Sequence, residues 1–195
     1  TVSTGGASPF SVTHGNLDWQ EELQSFTWLN HLNAANTSLA NAQAIALILD
    51  WIEHWGHDFN TLAWRSDVLS RRLISWISFL PGLAPEISAD QHSRIMRSVS
   101  RQCRFLSVNA PIVRDGYPRL HAMIALSYAA ICLSGREKNI RQASHDLDRE
   151  LERQILPDGG HISRNPYILV ELLADLIPLR DAFGAAGVYP PTKLI

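Results

Sequence analysis

Cysteine is scarce in this chain of 195 residues: Cys103 and Cys132 are the two it has. They fall in separate helical segments, which excludes a disulfide framework as the basis of the fold and leads us to expect a pair of buried free thiols. A basic excess is also missing. The formal net charge is −2, which argues against nucleic acid as the main partner. No apolar run is long enough to cross a bilayer, so no membrane span is expected. The chain has neither a glycine-rich phosphate loop nor a Gly-x-Ser-x-Gly elbow. Its eight histidines lack metal-ligand spacing. His54 and His57 stand three apart, and Gly56 is expected to end the helix between them, so no metal and no cofactor is expected. Sustained period-two alternation is absent, which excludes an extensive sheet.

What is present is helical. Hydrophobic residues make up 46% of the chain and charged residues 18%, a globular composition. Apolar stripes at i, i+4, i+7 predict seven helices, over about residues 17–32, 39–55, 64–80, 89–108, 119–133, 140–156 and 166–185. Pro81-Gly82 is expected to end the third, and Pro178 to kink the last. Short links between helices favour antiparallel neighbours. The expected fold class is all-α, built of antiparallel helical hairpins, as a bundle, a solenoid or an arc of an α/α toroid. Residues 1–16, rich in Gly, Ser and Thr, read as an irregular lead-in, residues 17–187 as the helical domain, and residues 188–195 as a linker.

The most polar interruption is Gln154 to Pro166, caught between two apolar helices. Pro157 stops one helix, Asp158-Gly159 turns the chain, and Asn165-Pro166 reads as an N-cap followed by proline at the first helical position. The loop gathers Asp158, His161, Ser163, Arg164 and Asn165 at one mouth. It reads either as a functional loop on rigid helices or as a corner whose polar groups satisfy the backbone. Arg119 and His121, at the start of an apolar helix, could attract an acidic ligand or simply solvate a helix end. One of Arg71 and Arg72 faces solvent, and the other meets a carboxylate of the protein or of a substrate. Six tryptophans are many for this length. Trp51, Trp55 and Trp76 lie on apolar stripes and read as core. Trp19, Trp28 and Trp64 sit near helix ends, where an indole could stack on a sugar ring.

Three segments carry a resemblance to a known family: Phe26-Thr27-Trp28-Leu29-Asn30-His31-Leu32, the run from Trp64 to Trp76, and Ile155-Leu156-Pro157-Asp158-Gly159-Gly160-His161. They resemble the helical domain of heparinase II/III-like proteins, nearest to an uncharacterised bacterial branch, over about Pro9 to Pro191. The resemblance implies an incomplete α/α toroid that precedes an antiparallel β-sandwich. This chain would then be an internal piece, with residues 188–195 leading toward a C-terminal β-sandwich domain of the same protein.

The resemblance also implies β-elimination on an acidic, uronic-acid-containing polysaccharide as substrate and partner, in the periplasm or cell envelope, with the cytoplasm open. Such chemistry needs a neutralised carboxylate, a base and an acid. On that reading His121, His161 and Tyr167 are the catalytic candidates, and Arg119, Arg164, Asn165, Arg72 and Trp64 the substrate-binding ones. The chain departs from the family where an Asn-His pair gives way to Pro118-Arg119 and a Tyr-His pair to Ile168-Leu169, with Tyr167 one position early. The rival reading is a glycan-binding or structural module that kept the fold and lost the catalytic pair.

Overall fold

A computed structural model describes residues 8–11, 15–134 and 137–194. Most of the expected lead-in, residues 1–7 and 12–14, lies outside the described residues. The described chain is all-α. Its helices are α1 (Leu17–Ser25), α2 (Leu29–Ala35), α3 (Ser38–Trp55), α4 (Ser66–Leu83), α5 (Ala89–Asn109), α6 (Tyr117–Ala129), α7 (Glu137–Gln154) and α8 (Pro166–Ala185). Among the described residues there is no strand beyond an isolated bridge between Ile155 and His161. The chain divides into two compact units, Thr1–Arg104 and Phe105–Ile195.

The first unit is built around aromatic rings. Phe26, Trp51 and Trp76 are fully buried. The Phe26 ring meets Trp76 and Trp51 edge-on at 5.3 and 6.3 Å and lies 5.6 Å from Phe10. This packing corrects the expected helix over residues 17–32. Phe26 takes a left-handed backbone, φ 61°, which costs an aromatic residue about 1–2 kcal/mol and breaks the helix into α1 and α2. Burial of the ring offsets that cost. Asn41 at the start of α3 donates to Glu86 just beyond α4 at 2.7 Å, and Trp51 meets Trp76 at 5.4 Å. The two helices are therefore antiparallel.

Three further expectations are corrected. The third helix begins at Ser66, not Trp64, which sits in a short 3-10 turn, Leu62–Trp64. It also runs through Pro81-Gly82 to Leu83, because Leu83 is buried and anchors one more turn. After α6 the chain passes into a π-helical turn, Ala130–Ser134. Cys132, expected to be buried, is exposed there, while Cys103 is partly buried. Both thiols are free, and burial pushes that of Cys103 up to about 12.

The second unit has α6 at its centre, with Leu120, Ala122, Ile124 and Ala125 fully buried. Asp115, just before α6, pairs at 2.8 Å with Arg153 at the end of α7, so these two helices form an antiparallel hairpin. Tyr117 donates to Glu171 at 3.0 Å, and His121 pairs with Asp175 at 3.3 Å. The register advances together, so α8 lies parallel to α6. Helix α8 continues through Pro178 to Ala185, and just beyond it Gly187, φ 68°, turns the chain so that Val188 N–H reaches back to the Phe183 carbonyl at 3.0 Å. Residues 192–194, expected as linker, form a 3-10 turn whose Lys193 amide donates to Asp148 of α7 at 2.6 Å.

Arg72 lies fully buried at the centre of the first unit. Its guanidinium sits 4.0 Å above the Trp51 ring. Nε donates to Gln102 Oε1 at 2.8 Å and Nη1 to the Gln24 carbonyl at 2.8 Å. Burial drives its pKa well down, so the stacking and both hydrogen bonds are what keep it tolerable. A lysine cannot reproduce a flat fork. Arg72→Lys should therefore lower the unfolding free energy by about 2–4 kcal/mol in urea titrations. A midpoint equal to that of the unsubstituted chain would refute this account.

Candidate functional site

The polar segment between α7 and α8 folds into a small closed bracket. Leu156 N–H donates to the Gly160 carbonyl and Ile162 N–H to the Gln154 carbonyl, each at 2.8 Å. Asp158 accepts from Gly160 N–H at 3.0 Å and pairs with Arg164 at 2.5 Å. Arg164 N–H and that amide hold the carboxyl of Asp158 below its usual range. Gly159 has φ 80°, a conformation that suits glycine. Asn165 accepts from Tyr167 N–H at 3.0 Å and caps α8, as its place before Pro166 predicts.

His161 is the interior pin of this bracket, with 2% of its surface exposed. Its Nδ1 accepts the Ser163 backbone N–H at 3.1 Å, with the Ser163 hydroxyl 2.8 Å away. Because an amide can only donate, Nδ1 is unprotonated, and Nε2 donates to Gln154 Oε1 at 3.0 Å. Gln154 in turn donates to the buried Glu150 at 3.0 Å, and Glu150 pairs with Arg153 at 3.0 Å. Arg153 reaches Asp115, whose other oxygen lies 3.9 Å from Arg119. Arg119 also donates to the Val113 and Pro111 carbonyls at 2.9 and 3.3 Å. One bonded chain thus joins His161, Gln154, Glu150, Arg153, Asp115 and Arg119 across the α6–α7 hairpin.

The other nominated residues separate. His121 is buried against Asp175, with the Tyr117 ring stacked on its imidazole at 5.4 Å. Tyr167 is exposed, and Arg164 faces water around its pair with Asp158. Arg72 and Trp64 belong to the first unit and are both buried. Arg72 meets no carboxylate but a ring and two amides, which neither reading of the Arg71-Arg72 pair anticipates. The Trp64 indole donates to the Trp55 carbonyl at 2.7 Å, so its faces are in the core and not open to a sugar. Among the described residues no cluster of three or more His, Cys, Asp or Glu could hold a metal ion.

A surface feature missing from the nominated residues lies on α5. Arg94, Arg97, Arg101 and Arg104 recur at steps of three, four and three, which places them on one helix face. Residues 92–104 contain no acid. Arg94 pairs with Glu53 at 2.6 Å, and Arg101 donates to the Gly56 carbonyl at 3.0 Å. Arg97 and Arg104 are exposed. The signal was available in the spacing and is invisible in the net charge.

Burial pulls the His161 pKa below its ordinary 6.5, because the charged imidazolium would lose its hydration there. The folded state thus binds this proton less readily than the unfolded chain. The stabilising contribution is fully present above pH 6.5 and is lost as the pH falls below it. His161→Ala should cost about 1–3 kcal/mol at neutral pH through the unsatisfied partners it leaves. The gap between variant and unsubstituted protein should shrink on moving to about pH 5. A gap in melting temperature that is constant or widens on acidification would contradict the assigned tautomer.

No family model matches the chain, and no solved structure matches it significantly. It is 32% identical over 188 residues to FtsZ-localized protein C of Caulobacter vibrioides, strain NA1000 / CB15N. That alignment takes in 95% of this chain and 32% of the relative, so the chain spans about a third of its relative's length. The relation overturns the expected lyase activity on an acidic polysaccharide and the acidic polysaccharide as partner. The matched protein, aligned across nearly all of this chain, is named for FtsZ and not for a glycan. In the structure His161, Asn165 and Arg119 are engaged in bonds within the second unit, and Arg72 and Trp64 in bonds within the first. None of these comparisons bears on the resemblance to heparinase II/III-like helical domains or on the β-sandwich it implies.

Proposed function

We propose that this chain is an all-α interaction module of a cell-division-associated protein, acting where FtsZ assembles. The observation that carries the reading is the 32% identity to FtsZ-localized protein C, extending over 95% of the chain. The geometry supports a module that works through its surface. The polar loop between α7 and α8 is closed on itself by backbone and side-chain bonds. Positive charge without intervening acids is instead gathered along α5, from Arg94 to Arg104. Rigid helices presenting a fixed pattern of side chains suit recognition of another protein, since little ordering is needed on binding.

A fluorescent fusion of the full-length protein in its native cell tests this. It should form a band at the division site that coincides with FtsZ and disperses when FtsZ is depleted. Uniform fluorescence, or a band that survives FtsZ depletion, would sink the proposal.

A further inference from the structure

We propose that the arginine face of α5 is a docking surface for an acidic protein segment carrying carboxylates at helical spacing. Arg104 lies ten positions beyond Arg94, so the stripe is about 15 Å long at 1.5 Å per residue. Two shallow grooves, of about 660 and 350 Å³, run beside it and share Arg97 and Arg101. The face already holds one carboxylate. Glu53 sits 2.6 Å from Arg94 and demonstrates the chemistry that the rest of the stripe offers. Arg101 is held in place by the Gly56 carbonyl and lies 3.3 Å from His57. Arg97 and Arg104 have no hydrogen bond or ion pair among the described residues and extend the same line.

Three observations select a protein segment as the occupant. All four cations are arginines, whose planar fork matches a carboxylate with two parallel hydrogen bonds. Stable seating of a helix on a membrane combines attraction to anionic lipids with an inserted apolar face. The apolar face of α5, with Ile95, Val99 and Leu106, is buried in the protein. A nucleic acid is a long run of negative charge, whereas this stripe ends at Asp90 on the same helix and is flanked by Glu53. A short segment with three or four carboxylates fits the length of the stripe and avoids those acids. The proposal stands on the geometry of α5 and not on the cell-division reading, so binding between purified components and localisation in cells can fail separately.

The test uses the full-length protein and a labelled helical peptide bearing Glu at i, i+3, i+7 and i+10. Comparison probes are the same peptide with Lys at those positions, vesicles containing phosphatidylglycerol, and a single-stranded RNA. Anisotropy should report binding of the Glu peptide that weakens with added salt. R97E/R104E, at two exposed positions that support no internal bond, should weaken it about tenfold or more. The same variant should gain binding of the Lys peptide. R141E, at an exposed arginine of α7, should leave binding of the Glu peptide unchanged. Absence of Glu-peptide binding, equal binding by R97E/R104E, an equal loss in R141E, or tighter binding of vesicles or RNA would each overturn the proposal.

Discussion

A buried arginine with no carboxylate beside it governs the first unit. Arg72 is fully enclosed, and a cation stripped of water must recover its solvation from fixed dipoles and π density. Trp51 of α3 supplies a ring, Gln24 of α1 a carbonyl, and Gln102 of α5 an amide oxygen. Each of these partners comes from a different helix, so holding one side chain specifies the mutual placement of four helices. The tryptophan cluster then closes over this hub. Trp51 itself donates to Gln24 Oε1 at 2.6 Å, so Gln24 binds both the guanidinium and the ring beneath it.

The second unit solves a similar problem without an isolated charge. Glu150 is buried, but Arg153 and Gln154 occupy its two oxygens. The bonded chain continues to His161 at one end and Asp115 at the other. Such a network is strong only when every member is satisfied. It therefore ties the α7–α8 bracket to the start of α6, so that a loop rich in functional residue types serves as a structural corner. Asp158, Asn165 and Ser163 act locally in the same sense: each accepts from a backbone amide. Their enrichment at turns has this mechanism.

The all-α class was legible because it rests on apolar periodicity and the absence of alternation. So was the Asn165-Pro166 helix start, which rests on local chemistry. The break at Phe26 was not legible, since nothing local marks it. An aromatic residue with positive φ is stabilised by the rings packed around it, and two of these, Trp51 and Trp76, arrive from α3 and α4. The passage of α4 through Pro81 has the same origin in the burial of Leu83. Candidate site residues were named by type, and type alone does not say which bonds a side chain already makes. Trp64 and Arg72 look like ligand-binding residues in a linear sequence and become core once long-range partners such as Gln102 are in place.

Charge shows the opposite bias. A net charge of −2 describes the whole chain, but a partner responds to potential within a Debye length of about 8 Å. Over that range α5 presents four arginines on one face and no acid between residues 92 and 104. Helix α7 spreads both signs along its length and pairs them internally, as Arg141 with Glu137 and Arg149 with Asp146. Two amphipathic helices of one chain thus differ in what they offer to solvent. One neutralises itself, and the other leaves Arg97 and Arg104 uncompensated. Spacing read at the helical period separates the two, where composition does not. The same reading explains why the polar loop, rich in catalytic residue types, is chemically closed while a plain stretch of arginine and serine remains open.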